Sequence, residues 1–297
     1  MISVDEALAH LFLITKPLCS ETVNLKNAVG RILIEPAIAT RNQPPFDASA
    51  MDGYAICGGD LQAGVTKWNI IGEAAAGHRF LGSVAPGEAT RIFTGAPMPT
   101  GTDHVLIQEH VTRCAHVITL RDNSNTSRFV RPLGADFKAG FTQSVPYKLS
   151  AQNIALLASM NVPQPKVARK PQVVLIATGD ELVQPGEVPN IDQIIASNTF
   201  GLFAMLQSAG AEPRMLPIAK DRMGSLKQLF SLIGQADLVV TVGGASVGDH
   251  DLVAKAAEDL GMQQSFYKVA MRPGKPLMAG KLNGTLMIGL PGNPVSA

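Results

Sequence analysis

Val173-Val174-Leu175-Ile176-Ala177-Thr178-Gly179-Asp180-Glu181 is a run of five apolar residues that ends on small and acidic ones. A continuous apolar run of this length, closed by a turn signal, reads as a strand buried on both faces, the kind that parallel sheets contain. The chain after it alternates: helical periodicity near residues 198–209 followed by Gly210, a strand near 214–218, a helix near 224–233, and a strand at 238–242. A further helix near 251–260 precedes strands near 266–270 and 276–280. Asn283-Gly284 is then a hairpin turn before a last strand at 286–289. Such alternation predicts an α/β fold, a mostly parallel sheet flanked by helices. Ligands of these sheets sit outside the carboxyl ends of the strands, where loops run into helix N-termini with unpaired N–H groups.

Two loops at those ends draw attention. Thr178-Gly179-Asp180-Glu181 follows the first strand, and Gly243-Gly244-Ala245-Ser246-Val247-Gly248-Asp249-His250-Asp251 follows the strand at 238–242. Glycines let backbone amides approach a phosphate, and carboxylates behind them suit a hard cation such as Mg²⁺. No Lys-Ser/Thr follows Gly248 and neither loop reads G-x-G-x-x-G, which removes P-loop and dinucleotide readings. Each loop alone also fits an ordinary turn with a carboxylate at a helix N-terminus; their recurrence in one sheet favours a metal–phosphate site. Lys268-Val269-Ala270-Met271-Arg272-Pro273-Gly274-Lys275-Pro276 gathers three cations around a Pro-Gly turn. Strand alternation would send Lys268 and Arg272 to one face with Lys275 brought near by the turn, a cluster suited to a polyanion or, equally, to a solvated sheet edge. Gly289-Leu290-Pro291-Gly292-Asn293-Pro294-Val295-Ser296 reads as another helix start, with Asn293 as N-cap and Pro294 first in the helix.

Upstream, Ser3 and Glu6 have capping-box spacing, and Val4, Leu8, Leu11 and Phe12 repeat on one face of an opening helix that ends near Pro17. From about residue 44 to 140 the texture changes to short β-like runs broken by Gly, Pro, Asn and Asp. A Ser-capped helix from Ser150 then leads through Pro163-Gln164-Pro165 to the first strand. Within the β-like region, Pro44-Pro45-Phe46-Asp47-Ala48-Ser49-Ala50-Met51-Asp52-Gly53-Tyr54-Ala55 is an irregular segment of polar groups beside aromatics, either a functional loop or a linker anchored by its rings. Thr94-Gly95-Ala96-Pro97 and Gly134-Ala135-Asp136 pass locally for turns.

Composition narrows the partners. Twenty-five basic against twenty-four acidic residues leave a formal charge of +1, which calls for neither nucleic acid nor an anionic membrane. Three scattered cysteines without C-x-x-C spacing argue against a disulfide framework or a zinc knuckle and for a reduced, cytoplasmic setting. No stretch approaches about 18 consecutive apolar residues, and the start lacks a signal-peptide pattern. His110, Cys114 and His116 alternate on one face, but about 20 Å of extended strand would separate the two histidines unless a turn intervenes. No Ser–His–Asp arrangement is assignable.

Taken in order, Pro45-Phe46-Asp47-Ala48-Ser49-Ala50-Met51-Asp52-Gly53-Tyr54-Ala55, Phe93-Thr94-Gly95-Ala96-Pro97, Thr178-Gly179-Asp180-Glu181-Leu182, Ser197-Asn198, Gly243-Gly244-Ala245-Ser246-Val247-Gly248-Asp249, Arg272-Pro273-Gly274-Lys275-Pro276 and Gly289-Leu290-Pro291-Gly292-Asn293-Pro294-Val295-Ser296 resemble the molybdopterin molybdenumtransferases, the family that includes the gephyrin E domain. The resemblance implies a molybdopterin-binding α/β domain at residues 169–297 and a mostly β lobe at 44–140. A small linking subdomain would be built from 1–43, which includes the opening helix, and 141–168. It implies a homodimer with a shared cleft and Mg²⁺-dependent conversion of molybdate and adenylylated molybdopterin to molybdenum cofactor and AMP. The molybdopterin adenylyltransferase would be a further partner. Catalytic weight falls on Asp52, Thr94, Asp136, Glu181, Lys268 and Lys275. Substrate contacts fall on Thr178, Gly179, Asp180, Ser197, Asn198, Gly243, Gly244, Ser246, Gly248, Asp251, Arg272, Pro291, Gly292, Asn293, Pro294 and Ser296, and the metal on Glu181, Asp221 and Asp251.

Two departures accompany the resemblance. Arg272 stands where some members have Lys, which keeps the charge and changes the donor geometry. Members of the family also continue past the helix start at Pro294 into a small β domain, so contacts from such a domain are not expected within these residues. The competing readings are a molybdopterin adenylyltransferase, against which the β lobe speaks, and a non-catalytic pterin-binding or scaffolding module, which has no need of the charge set at Asp52, Glu181, Asp221, Asp251 and Lys275.

Overall fold

The computed structural model describes residues 1–121, 127–244 and 252–296. It divides into two compact units, one of residues 1–21, 30–32 and 167–297 and the other of residues 22–29 and 33–166.

The first unit is built on a six-stranded sheet in the order Glu212–Met215, Gln172–Ala177, Leu238–Val242, Thr285–Leu290, Met278–Leu282, Gln263–Tyr267. The first three pairings are parallel and the last two antiparallel. Because successive side chains of a strand point to opposite faces, Val174, Ile176 and Val239 pack with Leu226, Leu229 and Phe230 of the helix Met223–Ser231 and with Val253, Ala256 and Ala257 of Leu252–Asp259. Val173, Leu175, Val240 and Val242 face the opposite side, toward Leu202, Phe203 and Leu206 of the helix Asn198–Ser208. Helices therefore cover both faces, as the unbroken apolar runs require. The Asn283-Gly284 turn has positive φ at both residues, +50° and +87°, the twist that joins two antiparallel strands tightly.

The opening helix Val4–Ile14 carries its capping box, Glu6 N–H to Ser3 Oγ and Ser3 N–H to Glu6 Oε2. Its buried side differs from the expected stripe. Ala7 and Leu11 pack against Phe266, Val269 and Ala279, while Val4, Leu8 and Phe12 are exposed. Small Ala7 admits a closer approach to the sheet than the bulkier stripe would.

The second unit holds another six-stranded sheet, ordered His104–Ile107, Gly53–Ile56, Glu88–Ile92, Lys67–Ala74, Val117–Leu120, Val111–Cys114. Only the Lys67–Ala74 and Glu88–Ile92 pair among these is parallel. Tyr54 and Ile56 join Trp68, Leu106 and Ile118 on one face, and Ala55 joins Ala74, Ile92 and Val105 on the other. The buried Asp60 carboxylate is satisfied by Trp68 Nε1–H at 2.8 Å and Gly87 N–H at 2.9 Å, which offsets the cost of removing it from water. A Cβ at Gly53 would lie 2.0 Å from the Leu106 carbonyl oxygen, so the strand can enter the sheet there only as glycine.

One ionic contact pins the amino ends of two parallel strands in the first unit. Arg169 Nη1 donates to Asp237 Oδ2 at 2.6 Å, and the same oxygen accepts the Gln172 N–H at 2.8 Å. The Arg169 guanidinium holds the Asp237 carboxyl below its ordinary value of 3.8. A depressed carboxyl contributes stability that is complete above the ordinary value and is lost as pH falls through the lower folded-state value. Urea denaturation at pH values lowered from neutral through the ordinary aspartate range is expected to show wild type losing more stability than Asp237→Asn as the pH falls.

Candidate active site

Three of the parallel strands end level: Ala177 is opposite Val242, and Val242 is opposite Leu290. The three loops that follow leave the sheet side by side. A Cβ at Gly243 (φ +98°) would lie 2.3 Å from the Thr178 carbonyl oxygen, and one at Gly292 would lie 3.3 Å from Gly243 Cα. Gly244 (φ +65°) is closed to a side chain by Val253, 2.4 Å from its Cβ position. The Thr178 hydroxyl stands 3.0 Å from both of those Cβ positions. It is buried and has no hydrogen-bond partner among the described residues, and the same holds for Thr241 on the strand below.

A cleft partly open to solvent is lined here by Thr178, Glu181, Ser197, Asn198, Gly292 and Pro294, together with an apolar wall of Leu182, Ile194, Ile195 and Ala196. The wall is carried by Leu182–Val183 and Ile194–Ile195, a short parallel pair that spacing alone did not suggest. Asn198 Nδ2 donates to the Gly292 carbonyl at 3.0 Å and ties the helix start to the third loop. The expected helix at Pro294 is a turn among the described residues. Asn293 Oδ1 accepts the Val295 N–H at 3.0 Å and the Asn293 carbonyl accepts the Ser296 N–H at 2.8 Å, so the cap chemistry is present. Pro291 is buried beneath it.

On the acidic side, the Asp221 N–H donates to Asp180 Oδ1 at 3.4 Å, and Lys220 Nζ donates to the Asp180 carbonyl at 3.4 Å. The Asp221 carboxyl is pushed up, first by partial burial and then by the charges of Asp180 and Glu181. Gly179 lies against the Glu181 carboxylate, which is 2.6 Å from its Cβ position. These carboxylates have the hard-oxygen chemistry that Mg²⁺ takes, and a cation beside them would favour the ionised form of the Asp221 carboxyl that its neighbours' charges oppose. As placed, no three His, Cys, Asp or Glu side chains among the described residues converge on one ion. Ser246, Gly248 and Asp251 lie outside the described residues.

The cationic segment departs from the expected strand. The strands are Gln263–Tyr267 and Met278–Leu282, and residues 268–277 form a loop between them. Lys268 adopts φ +69°, which breaks the alternation that would have set Lys268, Ala270 and Arg272 on one face. The Lys268 N–H to Leu277 carbonyl and Val269 N–H to Lys275 carbonyl bonds close the neck of the loop, which places the backbones of Lys268 and Lys275 at that neck, with Arg272 exposed beyond it. Lys268 Nζ lies 5.0 Å from the centroid of the Tyr267 ring. Gly274 (φ +101°) sits against the Ser296 carbonyl, 3.3 Å from its Cβ position, which joins this loop to the turn after Leu290.

In the second unit, Asp52 Oδ1 accepts both the N–H and the O–H of Thr94, each at 2.8 Å. These two bonds, with a smaller contribution from Arg91, lower the Asp52 pKa. On one side of this turn the Ser49 N–H donates to the Ala96 carbonyl at 3.0 Å and the Gly95 N–H to the Ser49 carbonyl at 2.8 Å, and on the other Val130 and Arg131 pair with Ser49 and Ala48. The ribbon so formed brings in Arg131, whose Nη2 donates to Asp136 Oδ1 at 2.7 Å. Arg91 was not singled out from sequence; it lies between two aromatic rings, at 5.0 Å from Tyr54 and 4.6 Å from Phe93. His110, Cys114 and His116 do not share one extended strand. The chain turns at Ala115 (φ +49°), pairing Val117 with Cys114, and the strand-length estimate between the histidines does not apply.

Residues 2–161 match the family model of the MoeA N-terminal region, domains I and II, and residues 174–297 match that of a probable molybdopterin binding domain. The chain is similar to the molybdopterin molybdenumtransferase of Nostoc sp., 38% identical across 93% of this chain and 66% of that protein. It is also similar to the molybdopterin molybdenumtransferase of Haemophilus influenzae, 37% identical across 100% of this chain and 74% of that protein. Among solved structures it resembles the molybdopterin biosynthesis MoeA protein of Pyrococcus horikosii, with a TM-score of 0.85 at 31% identity, covering 100% of this chain and 76% of that one. The chain thus spans about two thirds of the length of the Nostoc relative.

The close passage of Gly243 beneath Thr178 makes a direct forecast. Gly243→Ala forces a methyl group against the Thr178 carbonyl in a backbone region that L-residues avoid, and is expected to cost about 1–3 kcal/mol of stability. Chemical denaturation measures it, and an unchanged midpoint would mean that the loop has room to relax.

Proposed function

The chain belongs to the molybdopterin molybdenumtransferase family, and from that premise we propose that it inserts molybdate into adenylylated molybdopterin and releases AMP, with Mg²⁺ as the metal. The observation that carries this reading is the level ending of three parallel strands at Ala177, Val242 and Leu290. Asp180 and Glu181 follow the first exit, Asp221 comes in beside Asp180 after the Glu212–Met215 strand, and the cationic loop at 268–275 abuts the turn after the last.

The backbone of Gly179, Gly243, Gly244 and Gly292 and the Thr178 hydroxyl would take the phosphate end of the substrate. The Leu182, Ile194 and Ile195 wall would cover its flat ring, with Ser197 and Asn198 at the edge. Glu181, Asp221 and Asp251 would hold Mg²⁺, with Asp180 behind them. Bound there, the ion would supply charge neutralisation to the pyrophosphate. Lys268, Arg272, Lys275 and Ser296 would bind molybdate and orient it, since a tetrahedral oxyanion needs several donors and an arginine fork supplies two at once. Asp52, with one oxygen committed to Thr94, would present the other to water or a phosphate oxygen, and Asp136 would be held for the same task by Arg131. The reading includes a homodimer with a shared cleft, a cytoplasmic setting, and the molybdopterin adenylyltransferase as supplier of the adenylylated substrate. It also includes the domain division at residues 44, 141 and 169.

AMP release from adenylylated molybdopterin, measured with and without molybdate and Mg²⁺, tests the proposal. Release is expected to need both, and to fall by about a hundredfold or more in Asp52→Ala. AMP transfer onto the pterin from ATP would indicate an adenylyltransferase instead. Tight retention of the pterin without release would indicate a binding module.

A further inference from the structure

Behind Asp52 stands a brace that the chemistry assigned so far does not use. The Gly53–Ile56 strand runs between Glu88–Ile92 and His104–Ile107, with Tyr54 opposite Arg91. The Arg91 guanidinium is held between the Tyr54 and Phe93 rings, at 5.0 and 4.6 Å from their centroids. From that slot Nη1 donates to the Gly53 carbonyl at 3.1 Å and Nη2 to Gln108 Oε1 at 2.7 Å. The Gln108 N–H in turn donates to the Asp52 carbonyl at 3.1 Å. Two consecutive carbonyls, those of Asp52 and Gly53, are therefore fixed by one guanidinium, the first through Gln108 and the second directly. Phe93, on the other side of the slot, immediately precedes Thr94, whose N–H and O–H hold Asp52 Oδ1.

The guanidinium thus touches both arms of the Asp52–Thr94 pair: the peptide that carries Asp52 and the ring next to Thr94. Only a flat, always-charged group with donors on two edges can stack on two rings and bond sideways to two acceptors together. Lysine matches the charge and not the geometry. Arg91 is also the charged side chain that acts on the Asp52 carboxyl from the neighbouring strand. The Asp52 Oδ2 atom accepts no hydrogen bond among the described residues, so the direction in which it points is set by the bonds to Oδ1 and by the backbone beneath.

We propose that Arg91 is a positioning residue for Asp52, clamping the carbonyls of residues 52 and 53 and the approach to Thr94 so that the free carboxylate oxygen keeps one direction. The proposal rests on the reading of Asp52 as a site carboxylate. The ordinary alternative is a strand arginine that packs on its aromatic neighbours and affects melting temperature alone.

The Thr94 amide proton, followed by ¹⁵N-resolved NMR of the full chain through an acid titration, separates the two. It reports the bond to Asp52 directly and follows that carboxyl's protonation. In Arg91→Met the amide signal is expected to move upfield and the Asp52 midpoint to rise toward the ordinary aspartate range. In Arg91→Lys the amide is expected to stay displaced, since the charge returns without the fork. Thr94 signals and midpoints at wild-type values in both variants, with melting temperature lowered or not, overturn the proposal. Should Arg91→Met fail to fold, Gln108→Leu removes the Oε1 that accepts from Arg91 Nη2 while leaving the backbone Gln108 N–H on the Asp52 carbonyl and Arg91 on its rings; a Thr94 displacement in the same direction is expected, its absence counting against the brace. On the catalytic side, Arg91→Lys is expected to lower kcat for AMP release about tenfold with KM little changed, the mark of misplacement rather than lost binding. Full wild-type kcat in both Arg91 variants also overturns it. A displaced Thr94 signal in a protein whose wild type releases no AMP leaves the brace standing and removes the functional reading beneath it.

Discussion

The register of three neighbouring parallel strands is the constraint on which the rest of the first unit depends. Residues 177, 242 and 290 are paired in a row, so three loops leave one edge of the sheet within contact of each other. A slip of one residue in the Leu238–Val242 strand would turn Val239 from the Met223–Ser231 helix toward the Asn198–Ser208 helix and bring Val240 the other way. Both faces are buried, so neither helix gains from the exchange. At the far end the Asp237 carboxylate holds Arg169 and the Gln172 N–H and fixes the same register from below. The level carboxyl edge is thus a consequence of packing on both faces and of one ion pair at the opposite end.

The loops then have little freedom. Gly243 passes under the Thr178 carbonyl and Gly292 passes over Gly243, so any side chain at position 243 meets backbone. The glycines here are required by the closeness of three exits. That closeness also explains the Thr178 hydroxyl, which is stripped of water by the glycines beside it and left without a partner among the described residues. A desolvated hydroxyl is costly until something accepts its hydrogen bond.

Much of this was legible in sequence, for local reasons. The run at 173–177, the helices after it and the Asn283-Gly284 turn announce themselves through composition and period, and the Ser3–Glu6 box through spacing. What escaped depends on contacts distant in the chain. The Gly53–Ile56 strand takes its neighbours from residues 88–92 and 104–107, and Arg91 has a meaning only once Tyr54, Phe93 and Gln108 surround it. The strand expected at 266–270 shows the limit of alternation as a guide: the pattern continues through Lys268, but a left-handed φ there ends the strand and turns the cations into a loop. The Ile194–Ile195 wall of the cleft was missed because two residues are too few to carry a period.

The sheet also has a history in time. Met278–Leu282 and Thr285–Leu290 are joined by two residues, and their antiparallel pairing can close on the microsecond scale of an isolated hairpin. The Leu238–Val242 strand must instead find its partners across long intervals; the Arg169–Asp237 bond spans 68 residues. Loop-closure entropy has to be met before such contacts give anything back. On those grounds the hairpin waits as a ready-made edge, and the parallel strands are assembled late. The edge that gathers the three loops is then among the last features of the chain to exist.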